Sequence, residues 1–307
     1  MWSNPGIVLP PQNFGNSEDK WLQYAAKLVH AAMDYKSRLD VGTIGVEMSG
    51  KAPMDMQQYY KLFGASRISG SPKDIQQFKP NSTYAVVIHN GNVSTKWKHF
   101  QPFQHSYIIF KLPTFQFFKL PLFDGNQNNS SASQIFSSLK HIVEDSKRLQ
   151  VKGQIGILTS DTRDDAFRTY NMLKESGNSE SLDVIESSLF VLCLDDDIKS
   201  EQDIWTRSAI NSLHGYGSQT NGFNRWFGKA IQMIVAKSGE VSISNEHSFC
   251  EAVPVIAMAD DMLDKMKDNH DLVQSQSPML DDIAHVSFKV DSRIEEEIKR
   301  AAKSLDA

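Results

Sequence analysis

Two kinds of apolar pattern alternate along this chain, and that alternation restricts the fold more than any other feature. One is a short continuous run. TYAVVIHNG (83–91) is apolar without a break from Ala85 to Ile88 and then reaches the turn pair Asn90-Gly91. Such a run predicts a strand buried on both faces. The other is a helical stripe. Residues 18–39 place Trp21, Tyr24, Ala25, Leu28 and Ala32 on one helix face. The helical pattern returns at 131–149, where Ser131 or Ser133 can cap, at 163–176 and at 292–305. Residues 154–160 (QIGILTS) and 285–290 (HVSFKV) read as strands, 180–196 as a helix running into a strand, and 220–236 as a helix. There is no internal repeat. Strands and helices mixed in this order predict an α/β layer fold, with helices flanking a mixed sheet.

Composition narrows the class of protein. The 307 residues are 40% hydrophobic and 22% charged, with a net charge of −5, which describes an ordinary globular protein. Mild acidity, without a basic stripe interleaved with aromatics, argues against a nucleic-acid binder. Cys193 and Cys250 cannot build a disulfide framework, so a reducing compartment is expected and the sequons at Asn81, Asn92, Asn128 and Asn129 should go unused. Neither a signal peptide nor a run of membrane-spanning length is visible.

The stretch VSISNEHSFCEAVPVIAMADDML (241–263) carries the chemistry. Residues 241–246 alternate as a strand does, and after Pro254 the apolar residues follow helical spacing. His247 therefore stands where a strand ends and a loop leads into a helix, a common location for reactive side chains in α/β proteins. The residues alone leave two readings, a core or capping histidine and a catalytic one. Cys250 does not have the spacing of a cysteine hydrolase. LHGYGSQTNGFNRW is glycine-rich but lacks the lysine of a phosphate loop, so a tight turn is expected there. Arg225 and Trp226 read as packing and hydrogen-bonding residues of a helix start. His214, Glu246 and His247 lack zinc-ligand spacing, and no metal is expected.

Three blocks decide between those readings: MDMQQYYKLFGASRISGSPKD (54–74), SLHGYGSQTNGFNRWFGKAIQMIVAKSG (212–239) and SNEHSFCEAVPVIAMADDML (244–263). In order and spacing they resemble the choline/carnitine acyltransferase family, and within it the branch acting on short acyl groups. The opening NPGIVLPPQNF extends the resemblance over nearly the whole chain. It implies a chloramphenicol-acetyltransferase-like mixed sheet with flanking helices, this chain being the N-terminal half of a two-domain acyltransferase. It implies that His247 is the proton acceptor, with Glu251 orienting the loop or the imidazole, or pairing with an arginine. Glu246 is expected to point away and to act locally. Coenzyme A or acetyl-CoA and carnitine are then small-molecule substrates, with no permanently bound cofactor. Choline as acceptor, or a truncated non-catalytic fragment, are the alternatives. Mitochondrion or peroxisome follows by resemblance, although no targeting segment is visible.

The sequence departs from the family pattern at Ser69, Gly228 and Ala252, where a proline, an acid and a glycine are usual. Residues 93–116 (VSTKWKHFQPFQHSYIIFKLPTFQ) separate two stretches that are contiguous in the family. Val-Ser and Phe-Gln at its ends can be encoded by splice-donor and splice-acceptor consensus sequences. The segment therefore reads as an in-frame retained intron, or else as an inserted loop, with Tyr107, Ile108, Ile109 and Phe110 exposed. By the same resemblance the C-terminal half supplies the coenzyme A contacts and an oxyanion-binding Ser-Thr-Ser segment. The chain by itself is expected to be inactive.

Overall fold

A computed structural model describes residues 4–90, 93–98, 107–112, 115–123, 128–149, 154–268 and 277–307. In chain order the strands begin with β1 (Gly6–Val8), β2 (Met48–Ser49), β3 (Ala52–Pro53), β4 (Ala65–Ile68), β5 (Ile75–Phe78) and β6 (Tyr84–Asn90). They continue with β7 (Val93–Lys98), β8 (Tyr107–Leu112), β9 (Phe115–Pro121), β10 (Val191–Asp195), β11 (Ile231–Ala236), β12 (Val241–Asn245) and β13 (Ala284–Val286). The helices are α1 (Glu18–Asp40), α2 (Gln57–Tyr60), α3 (Ala132–Arg148), α4 (Arg163–Glu175), α5 (Ser179–Ser187), α6 (Ile204–His214), α7 (Ala252–Asp268) and α8 (Ser292–Asp306).

Seven strands form the main sheet in the order β1-β12-β11-β10-β6-β9-β13. β6, β10 and β11 run parallel to one another, and the outer pairings are antiparallel. Alternation along the strands divides the apolar side chains between two cores. Ala85, Val87, Leu192, Met233 and Ile243 face the layer of α1, α3 and α7. Val86, Ile88, Val191, Cys193 and Ile234 face the layer that includes α4, α5 and α8. The mixed sheet with flanking helices expected from sequence is therefore the observed architecture.

Local chemistry explains most helix starts. Ser131 caps α3 with a reciprocal pair: Gln134 N–H donates to Ser131 Oγ at 3.2 Å, and Ser131 N–H donates to Gln134 Oε1 at 3.0 Å. Ser17, Thr162 and Asp203 cap α1, α4 and α6 in the simpler way. At the other end of α6, Gly215 takes a left-handed conformation, with φ of 66°, and the chain turns away.

Three expectations are corrected. Residues 154–160 are not a strand: Ile155–Ser160 is a 3₁₀ turn. Its backbone lies against residues 223–225, since a Cβ on Gly156 would come within 2.5 Å of the Phe223 and Arg225 carbonyl oxygens. Residues 220–236 are not a helix. Turns and bends carry the chain to Ala230, which leads directly into β11, so Arg225 and Trp226 do not begin a helix. β11 lies between β10 and β12 and is buried on both faces, which leaves no polar face for periodicity to detect. Of 285–290, only the first residues pair, in β13.

Segment 93–116 contributes β7 and β8, which pair with each other antiparallel as a separate two-stranded unit, and its last residues, Phe115 and Gln116, open β9 against β6. The side chains of Tyr107, Ile108, Ile109 and Phe110 lie outside the described residues.

Candidate active site

β12 delivers His247. Its five residues are buried between β1 and β11, and Glu246 N–H still donates to the Ala230 carbonyl at 3.0 Å. The ladder stops there, and a turn carries residues 247–250 to the start of α7. His247 thus projects from the end of a strand paired on both sides, with 44% of its side chain exposed.

Glu251 sits on the next turn of the chain, and its Oε2 lies 2.9 Å from His247 Nε2. Its own N–H donates to Gln58 Oε1 at 2.8 Å, which ties the loop to α2. The two residues singled out from sequence are therefore in direct contact. The Glu251 side chain is 67% exposed, and an exposed polar contact of this kind contributes about 0–1 kcal/mol to stability.

Glu246 behaves differently. It is 1% exposed, and its Oε2 accepts a 3.0 Å hydrogen bond from Ser248 N–H and another from the Ser248 hydroxyl. Its Oε1 lies 2.9 Å from Arg67 Nε. The local role expected for Glu246 is present, but the carboxylate turns inward. Arg67 belongs to the RISG stretch, where the sequence draws attention to Ser69 and gives the arginine no role. Its place inside the block 54–74 is the signal that could have found it.

The surrounding groups narrow the chemistry. Burial, reinforced by the nearby Glu246 and Glu251 carboxylates, pushes the Cys250 thiol up to about 12, so it is no thiolate nucleophile. Arg225 and Asp195 are buried together with Asn211 and Asn224, away from solvent. The glycine-rich turn holds a carboxylate of the chain itself: Ser218 N–H donates to Asp306 Oδ1 at 2.7 Å. Among the described residues no group of three or more His, Cys, Asp or Glu side chains is arranged to hold a metal ion. No helix among them is long and apolar enough to cross a membrane. An accessible imidazole, oriented by a carboxylate at the end of a buried strand, is equipped to move a proton at a bound substrate.

Sequence comparisons identify the family. The family model described as choline/carnitine O-acyltransferase matches residues 1–307. The carnitine O-acetyltransferase of Mus musculus is 31% identical over 312 residues, covering 99% of this chain and 46% of its own length. That of Homo sapiens is 30% identical over 312 residues, with 99% and 46% covered. The choline O-acetyltransferase of Rattus norvegicus is 29% identical over 286 residues, with 90% of this chain and 41% of its own covered. The chain spans about half the length of the curated relatives it matches. With its mixed sheet, the chain belongs to the choline/carnitine O-acyltransferase family.

Proposed function

We propose that this chain contributes the general base to acyl transfer between coenzyme A and the hydroxyl of carnitine. The observation that carries the reading is the 2.9 Å contact between His247 Nε2 and Glu251 Oε2 on a solvent-accessible loop. With Nε2–H donated to Glu251, Nδ1 keeps a lone pair available for the substrate hydroxyl proton. That oxygen attacks the thioester carbonyl, and the new C–O bond forms as the imidazole takes the proton. The tetrahedral intermediate then breaks its C–S bond, and the imidazolium returns the proton to the departing sulfur. The Glu251 carboxylate stabilises the imidazolium between the two transfers.

The printed names of the relatives support acetyl transfer and supply two acceptors, carnitine and choline. Carnitine is preferred because the carnitine relatives are the more identical to this chain, at 30–31% against 26–29% for the choline relatives. Oxyanion stabilisation and most substrate positioning are assigned to the remainder of a protein of the relatives' length. Positioning alone is worth about 7–11 kcal/mol, so the isolated chain should be inactive. The test is thiol release from acetyl-CoA by a polypeptide of that length carrying this chain, with carnitine and choline compared. Release dependent on carnitine supports the reading. Release with choline alone reassigns the acceptor, and release with neither rejects acyl transfer to these alcohols.

A further inference from the structure

We propose that Arg67 is a positioning residue for His247, acting through Glu246 to lock the turn from which the imidazole projects. The proposal rests on the catalytic reading of His247 given above.

Glu246 and Ser248 flank His247. Both the N–H and the hydroxyl of Ser248 close on one oxygen of the Glu246 carboxylate. The backbone at His247 is thereby enclosed in a short ring whose acceptor is a buried anion. A buried carboxylate is retained as an anion only with a countercharge, and Arg67 Nε, 2.9 Å from its other oxygen, supplies one. Without it, the Glu246 carboxylate would be left buried with no countercharge and would turn toward water, weakening its hold on Ser248.

Arg67 is itself fixed from two directions. Its N–H donates to the Gly228 carbonyl at 2.7 Å. A Cβ on residue 228 would lie 2.4 Å from the Arg67 carbonyl oxygen, so the close approach of these segments requires glycine there. At the other end, Arg67 Nη1 donates to Asp74 Oδ2 at 3.1 Å. Asp74 Oδ1 in turn accepts from Arg163 Nε at 2.8 Å and from Gly70 N–H at 3.1 Å. Burial works against the charge on Asp74, but the bonds from Arg163, Gly70 and Arg67 hold its carboxyl below the usual range. The guanidinium is therefore a rigid link between the β4–β5 hairpin and the histidine turn. The departure of Gly228 from the family pattern finds a physical reason in the same contact.

The experiment is a double-substitution cycle in a polypeptide of the relatives' length, read by steady-state kinetics. Arg67→Met should lower kcat by about 10- to 100-fold, as expected for a slightly misplaced base, with KM changing less than about threefold. Arg67→Lys, which keeps the charge, should recover part of the loss. In a Glu246→Gln background, Arg67→Met should cost less than about threefold more, because the link is already broken. The double variant also has no unpaired buried charge, which covers the case in which Arg67→Met alone does not fold. Retention of kcat within twofold in Arg67→Met, or losses that multiply independently in the double variant, would overturn the proposal. Amide exchange at Ser248, measured on the isolated chain, separates this outcome from failure of the functional reading. Arg67→Met should accelerate that exchange at least about tenfold whether or not acyl transfer is detected, and unchanged exchange would refute the link on its own.

Discussion

Arg225 and Asp195 face each other in a two-pronged ion pair sealed inside the protein, with Nη1 2.9 Å from Oδ1 and Nη2 2.8 Å from Oδ2. Both side chains are fully buried. Burial opposes the charge on Arg225, yet Asp195 more than offsets it and the guanidinium pKa is raised. Asn211 and Asn224 fill the remaining sites on the Asp195 carboxylate with bonds of 2.8 and 2.6 Å. Removing one partner strands the other, which typically costs about 3–5 kcal/mol. Arg225→Met and Asp195→Asn should each lower the urea midpoint accordingly, and the double variant by less than their sum. A single variant within about 1 kcal/mol of the parent would contradict this account of the turn before β11.

Glu251 offers the opposite case, an exposed residue to which we assign a chemical role. Glu251→Gln should leave folding stability within about 0.5 kcal/mol, as surface substitutions usually do, while lowering kcat about tenfold through a less favoured imidazolium. Denaturation and kinetics on the same preparation check both parts. Unchanged kinetics would reduce Glu251 to a structural residue.

Much of this was legible in the sequence, and two of the three misread stretches share a cause. α1, α3 and α8 announce themselves because each keeps a polar face, and β6 because its apolar run ends in Asn-Gly. β11 and the 3₁₀ turn at Ile155–Ser160 are buried almost all round, and a short apolar run without a polar face has no period to read. The candidate site divides in the same way. His247 and Glu251 are marked by the family resemblance, which leaves open whether Glu251 meets the imidazole or an arginine. The Arg67–Glu246 pair joins segments distant in the chain, and only the fold brings them together.

Glu186 predicts a pH dependence of stability. It is 5% exposed, and burial pushes its carboxyl up from 4.5 to about 7, against the hydrogen bond from Tyr170. Between these values the folded protein holds the proton and the unfolded chain has released it, so raising the pH favours unfolding. The stabilisation is fully present below the unfolded value and is lost as pH rises through about 7. Glu186→Gln should therefore become more favourable relative to the parent between about pH 4.5 and about pH 8, by at most roughly 3 kcal/mol. Urea denaturation at the two pH values measures it, and a difference independent of pH would refute it.

Residues 93–116 we propose to be dispensable, as an in-frame retained intron would be. β6 pairs with β9 so that Ile88 faces Phe117. Joining Asn92 to Phe117 would remove the His89–Gln116 and Asn90–Phe115 pairings and leave residues 89–92 as the connection, close to the common hairpin loop length of about four residues. The deleted chain should still unfold cooperatively, with a midpoint lowered only by the loss of the bonds from Gln116 to the Ser146 and Leu149 carbonyls. Loss of cooperative unfolding would show that the segment supports the sheet, and complementary DNA uniformly containing these codons would exclude the intron.

The central claim is that His247 takes the proton of the acceptor hydroxyl. Thiol release from acetyl-CoA with carnitine, compared for the parent and His247→Ala in a polypeptide of the relatives' length, tests it most directly. Loss of a general base typically lowers turnover about 10²- to 10⁴-fold. His247→Ala should fall by at least that range with its circular dichroism unchanged. A folded His247→Ala variant retaining half the parental kcat would contradict the account.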